Sequence, residues 1–299
     1  MLEITLEHSI LKKFNIDTTN MWDEQINFLK KICQHTIVVS EELMEYEELM
    51  FEKESPLDKE WYKQFIANKI HCNKNFKIIE EVKERFSSDK FNKYQNHIVN
   101  LCLSSYDKIL LTDSSKLLSI KKVPLEKISY DMIMSNKLDN TFTKYTLPIN
   151  GCIEAGQGSK ELGEWIGRFI KDANYIQIHD NFICSPDNIK SFNKYILKYI
   201  AEQANVDIYT LAAEDISKED IAREFQKEQY QKWKLSVYLL KSKKEHHDRV
   251  IETEKYVIQI GRGMSVYGKG GKTYQTLINI YNRDEKQYSK YGGNPEKIV

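Results

Sequence analysis

The sequence predicts an α/β protein built as two domains, and three observations carry that prediction. Short apolar runs alternate with stretches of helical periodicity along the chain. The 299 residues suffice for two cores, at about 150 residues each. All 12 glycines lie at or after Gly151. Glycine supplies left-handed turns and close backbone approach to ligands, so the first half holds no glycine-based phosphate cradle. The split places a junction between Ser119 and Gly158, in a stretch that contains Pro124, Pro148 and the polar run from Glu154 to Lys160. The expected organisation is a first domain over 1–125, a linker over 126–158 and a second domain over 159–299.

In the first half, Thr36 to Ser40 reads as a buried strand, and Ser40 then caps a helix with Glu42 in its first turn. Ile98 to Leu103 fits a helix, and Lys108 to Asp113 a strand that ends in a polar turn. In the second half, Trp165 to Ile170 is one face of an amphipathic helix and Tyr175 to Asp180 a strand. Ile189 to Ala201 reads as a helix, Val206 to Leu211 as a strand, and Ala222 to Lys232 as a helix. Leu235 to Leu240 and Tyr256 to Ile260 are strands. They bracket a charged stretch that runs from His246 to Glu254.

Composition narrows the function classes. Hydrophobic residues make up 41% and charged residues 29%, which fits a soluble globular chain and not a disordered one. The 44 basic and 44 acidic side chains cancel, so nucleic acid would have to meet a local patch and not a global field. No apolar run is long enough to span a membrane, which needs about 18 residues. Glu3 and Glu7 stand where a secretion signal carries positive charge. The five cysteines are scattered without a C-x-x-C and read as reduced thiols, so a cytoplasmic protein is expected.

The first candidate site is a set of acids at strand ends. Strand C-termini in an open α/β sheet converge on one crevice, where carboxylates can share Mg²⁺ or Mn²⁺ for phosphodiester hydrolysis. The stretches Ile4 to Leu11, Ile37 to Tyr46, Ile98 to Leu103 and Ile109 to Leu118 resemble a PIN-domain ribonuclease over residues 1 to 120. That resemblance implies an opening strand over Ile4 to Leu11 and a metal site of Glu7, Glu45 and Asp113, with Glu42 an alternative to Glu45. The family's opening Asp-Thr-Asn is Glu7-His8-Ser9 here, and one expected acid is Gln95. The run from Glu41 to Glu48 also reads as a solvated helix face. His8, His35, His71 and His97 lack metal-ligand spacing and read as surface or capped histidines.

The second candidate site is the stretch from Glu245 to Ser265. Arg249 and Arg262 can fork onto phosphate oxygens. His247, two residues before Arg249, faces the same side if the chain is extended. Gly261 and Gly263 allow a tight turn around Arg262. Equally, His247, Asp248 and Arg249 can form a network that holds a strand, with Asp180 bridging to Arg249 or Arg262. Gly271-Lys272-Thr273 is no P-loop, because the required upstream glycine is Val266. The tail from Lys241 to Val299 carries 12 Lys/Arg against 7 Asp/Glu. Tyr256, Tyr267, Tyr274, Tyr281, Tyr288 and Tyr291 interleave with those charges, a pattern that could stack bases.

From Trp165 to Tyr267 the chain resembles a divergent phospholipase D-like domain. It is of the kind that follows the MIT domain in an ESCRT-associated protein and ends the Lon-like protein of BREX phage defence. The marks are Trp165, Ile176 to Ile183 with Asp180, His247-Asp-Arg249 and Gly261-Arg-Gly-Met-Ser265. The resemblance implies His247, Arg249 and Glu254 as catalytic residues, with Arg262, Gly261, Gly263 and Asp180 around the phosphate. No metal is required there. Only one copy of the motif is present, so catalysis would pair two His247 side chains in a homodimer. The function expected is a nucleic-acid-directed effector of a prokaryotic defence or toxin system, a candidate nuclease, with nucleic acid or a partner protein of the same system as its target. The alternative is a non-catalytic scaffold or sensor for a phosphate-bearing ligand. A lipid-reading peripheral role lacks an amphipathic anchor or a dense polybasic cluster.

Overall fold

The computed structural model describes residues 2–13, 23–72, 76–135, 137–212, 216–241, 249–285 and 295–299. The chain divides into two compact units, Met1–Leu147 and Pro148–Val299.

The first unit runs β1 (Glu3–Leu6), α1 (His8–Leu11), α2 (Asp23–Cys33), β2 (Thr36–Val39), α3 (Glu41–Glu54), α4 (Pro56–Cys72), β3 (Phe76–Ile78), α5 (Lys93–Ser104), β4 (Ile109–Leu111), α6 (Ser115–Leu118), β5 (Glu126–Ile128), α7 (Tyr130–Met134) and α8 (Thr141–Tyr145). Its five strands form one parallel sheet in the order β3-β2-β1-β4-β5. Alternate residues feed two cores. Ile4, Leu6, Ile37, Val39, Ile109 and Leu111 pack with Phe28, Phe51 and Phe142. Val38 and Leu110 pack with Ile98, Leu101 and Leu117. Burial on both faces is why these strands read as unbroken apolar runs.

Caps set the helix starts. The Ser40 hydroxyl accepts the Leu43 N–H at the head of α3. Asn92 and Gln95 exchange a capping box at the head of α5, so Gln95, standing where an acid was expected, has a structural task. The opening strand is shorter than expected. β1 ends at Leu6 because the Glu7 carboxylate accepts the Ser9 N–H and turns the chain into α1.

The second unit runs β6 (Ile149–Ile153), α9 (Ser159–Ile170), β7 (Tyr175–His179), α10 (Pro186–Tyr195), β8 (Asn205–Thr210), α11 (Lys218–Phe225), β9 (Lys234–Leu239), β10 (Val250–Thr253), β11 (Tyr256–Ile260), β12 (Thr276–Asn282) and β13 (Glu296–Lys297). The eight strands are ordered β13-β9-β8-β7-β10-β11-β12-β6. β7, β8 and β9 are parallel, and every other pair is antiparallel. In consequence the C-terminal ends of β7, β8 and β9, the start of β10 and the end of β11 share one edge of the sheet. Helix α11 starts at Lys218 and not Ala222, because the Ser217 side chain caps it through the Asp220 N–H.

Two expectations change. The residues expected as a linker, 126–158, carry β5, α7 and α8 of the first unit and β6 of the second. Proline and glycine there mark a strand at the sheet's border and not a tether, since Gly151 pairs with Ile278. The Lys/Tyr-rich tail is also largely structural. Tyr267 is buried and stacked on Tyr195, Tyr256 packs edge-on to Phe169, and the Tyr281 hydroxyl donates to Asn150. Tyr288 and Tyr291 lie outside the described residues. Among the described residues, no helix is long and apolar enough to cross a membrane.

Candidate functional site

In the first unit, the ends of β1 and β4 bring Glu7 and Asp113 to one edge of the sheet. The Glu7 carboxylate accepts the Thr112 hydroxyl at 2.9 Å and the Ser9 hydroxyl. The Ser9 oxygen in turn accepts the Asp113 N–H at 2.9 Å. The Asp113 carboxylate accepts the Tyr130 N–H at 2.9 Å and lies 3.6 Å from the Lys13 ammonium. Glu45 is exposed on α3.

The buried acid of that helix is Glu47, at 0% exposure. Its carboxylate accepts the Tyr94 hydroxyl at 2.5 Å and lies 2.6 Å from Nδ1 of His8. Nε2 of His8 is 3.3 Å from Glu54, and the His8 N–H donates to the Tyr94 oxygen. Burial pulls the His8 imidazole down, but Glu47 and Glu54 outweigh it and hold it above its usual value. Burial pushes the Glu47 carboxyl up, against His8 and Tyr94. His8 is therefore a buried ion-pair partner and not a surface histidine. Glu47 stands in the run from Glu41 to Glu48 that reads as a solvated helix face, and its burial corrects that expectation at this residue. Its signal was the spacing Leu43, Glu47, Phe51, one residue per turn on the buried face of α3.

One oxygen of Glu7 and one of Asp113 are engaged by backbone or hydroxyl donors, and among the described residues no group of three His, Cys, Asp or Glu could hold a metal.

In the second unit, Asp180 follows the end of β7 and is 2% exposed. One carboxylate oxygen accepts the Phe182 N–H at 3.0 Å and the other the Met264 N–H at 2.7 Å. Burial holds the Asp180 carboxyl above its ordinary value, while these N–H donors and Arg249 oppose the shift. Gly263 takes φ +54°, and a Cβ there would lie 2.2 Å from an Asp180 oxygen and 2.8 Å from Cδ of Arg249. No side chain fits at that point. The Asn188 amide donates to the Phe182 carbonyl and the Ser265 hydroxyl, tying the turn to the start of α10.

Arg262 belongs to this turn, and Arg249 hydrogen-bonds to it. Arg249, just before β10, donates to the Gly261 carbonyl at 3.0 Å, and its guanidinium lies 4.9 Å over the Phe182 ring. Arg262 donates through Nε to the Gln275 carbonyl at 3.0 Å and lies 5.5 Å from the Tyr274 ring centre. A guanidinium has five N–H donors, so each keeps donors free to fork onto an anion. Asp180 and Arg249 thus both meet the turn formed by Gly261, Arg262 and Gly263.

Residues 162–291 match the family model for the phospholipase D-like domain at the C-terminus of MIT. The second unit departs from the expected site at Glu254. His247 and Asp248 lie outside the described residues. Glu254 is at the opposite end of β10 from Arg249, about 16 Å away along an extended chain. There its carboxylate accepts the Asn174 and Tyr175 N–H groups at the head of β7.

No curated protein matches the chain. Among solved structures, one match is TrmBL2, an archaeal chromatin protein whose structure shows a novel mode of DNA binding. The identity is 14% and the TM-score 0.26, over 46% of this chain and 47% of that one, about half its length.

Proposed function

We propose that the phospholipase D-like unit binds phosphodiester groups of nucleic acid at the edge formed by the ends of β7 and β11 and the start of β10. The observation that carries this reading is the buried Asp180, which clamps the Gly261–Gly263 turn, the turn that carries Arg262 and accepts a hydrogen bond from Arg249. Two guanidiniums at one rigid turn suit a phosphodiester, because each can offer paired donors to its oxygens. His247, two residues before Arg249, is the candidate nucleophile. A hydrolytic cycle needs a second histidine as acid, which a homodimer would bring.

The parallel order β3-β2-β1-β4-β5, with acids at the ends of β1 and β4, supports a PIN-like reading of the first unit. Its engaged carboxylates favour a scaffold there over a metal nuclease. The resemblance to the domain that ends the Lon-like BREX protein supports placing the chain in a defence or toxin system.

The test is binding and cleavage of labelled RNA and DNA by wild type, Arg249→Gln, His247→Ala and Asp113→Ala, with Mn²⁺ and with EDTA. The expected result is binding that Arg249→Gln weakens at least tenfold, the loss of one charge-assisted phosphate contact. EDTA-resistant cutting lost in His247→Ala makes the edge catalytic. Cutting that needs Mn²⁺ and Asp113 moves the chemistry to the first unit. Wild type that neither binds nor cuts overturns the proposal.

A further inference from the structure

The phospholipase D-like unit buries nearly all its large apolar side chains. Among its described residues, Phe182, Tyr274 and Leu277 are the exposed exceptions, at 44%, 47% and 66%. Single exposed aromatics are ordinary. What is unusual is where two of these stand, since Phe182 lies beneath Arg249 and Tyr274 beneath Arg262.

Both rings sit on fixed backbone. Phe182 donates its N–H to Asp180, and its carbonyl accepts the Asn188 amide. Tyr274 donates its N–H to the Val266 carbonyl. Its ring lies against Gly268, where a Cβ would come within 2.9 Å of it. A smaller ligand than a strand has no use for these rings. Free phosphate meets only the guanidiniums, and a duplex keeps its base faces stacked inside and offers backbone and groove edges. Planar bases flanking a phosphate need what is present here, an aromatic face on either side of a cationic turn.

We infer that the ligand of this edge is a single-stranded nucleic acid, its phosphate held between Arg249 and Arg262 and its flanking bases stacked on Phe182 and Tyr274. The inference rests on the phosphate-binding reading above and adds the class of strand. The other five tail tyrosines are not needed, and the three described ones are engaged within the fold.

The experiment uses the full chain and four probes by fluorescence anisotropy. They are a short labelled single strand, an abasic phosphodiester of equal length, a blunt duplex of the same sequence, and vesicles of phosphatidylserine and phosphatidylcholine. Inorganic phosphate serves as competitor. The single strand is expected to bind at least about tenfold tighter than the abasic strand, the worth of one or two stacked bases. Phe182→Ala with Tyr274→Ala should erase that difference, so that base-bearing and abasic strands bind alike. Phe182→Trp should restore part of it. Circular dichroism identical to wild type checks that the exposed substitutions leave the fold intact.

Equal binding of abasic and base-bearing strands overturns this inference while the phosphate reading stands. Duplex bound tighter than single strand, or vesicles bound in place of either, also overturns it. Failure of every phosphodiester and of phosphate competition removes the broader reading as well.

Discussion

Gly263 shows most plainly how one residue shapes the site. Its φ of +54° and the 2.2 Å gap to Asp180 exclude any Cβ. Gly263→Ala should cost about 2–3 kcal/mol, from left-handed strain plus overpacking, read as a lower urea midpoint by tryptophan fluorescence. The placing of Asp180 beside the Gly-Arg-Gly turn was implied only by the family resemblance, since the two are far apart in the chain. The role of Glu254 was not legible, because a string of residue types does not reveal which end of a strand each occupies. The other residue-scale consequence concerns pH. His8 and Glu47 are both raised above their ordinary values, 6.5 and 4.5. A group raised in the folded state stabilises fully below its unfolded value and loses that contribution as pH rises through its folded value. Melting temperature should therefore fall as pH climbs past 6.5, and His8→Gln should flatten that slope. A wild-type melting temperature that rises over this window would contradict the assignment.

At the scale of elements, α3 carries two kinds of glutamate. Glu45 faces solvent and Glu47 faces the core. Glu47→Ala strips the partner from a buried His8 and should cost about 3–5 kcal/mol. Glu45→Ala should stay within about 0.5 kcal/mol. Thermal denaturation of the pair separates them, and equal effects would show that the helix face is misassigned. The apolar strands β2, β4, β7, β8, β9 and β11 were readable because burial on a sheet demands runs of branched side chains. β5 and β12 were not. β5 is only Glu126-Lys-Ile, and β12 alternates apolar with polar residues in a stretch that its lysines and tyrosines made look like solvated tail. Helix α4 was missed because charges interrupt its apolar spacing, whereas α2 carries a legible signal in Phe28 and Ile32, one turn apart and buried.

For the whole molecule, the boundary falls at Leu147, not near residue 125 or 158. Each unit has its own sheet and core, so fragments 1–147 and 148–299 should each unfold cooperatively in urea. A fragment that begins at 159 loses β6 and bares the edge of β12 along Thr276 to Ile280. It should be less stable and prone to aggregate, since an open edge is a template for pairing. Light scattering on the two C-terminal fragments decides this, and equal solubility would show β6 to be dispensable. Two α/β domains could be read from alternation and glycine alone, whereas their border could not, because it lies within secondary structure and not in a spacer.

The Asp180 clamp has a thermodynamic consequence for whatever binds. Its two backbone N–H bonds are made when the chain folds, so the entropy lost in ordering the turn is charged to folding and not to association. A ligand then meets arginines whose backbone is already in place, and its affinity is spared the cost of immobilising a loop. Loosening the clamp would leave every contacting side chain present and still weaken binding, by restoring motion that the ligand itself would then have to quench.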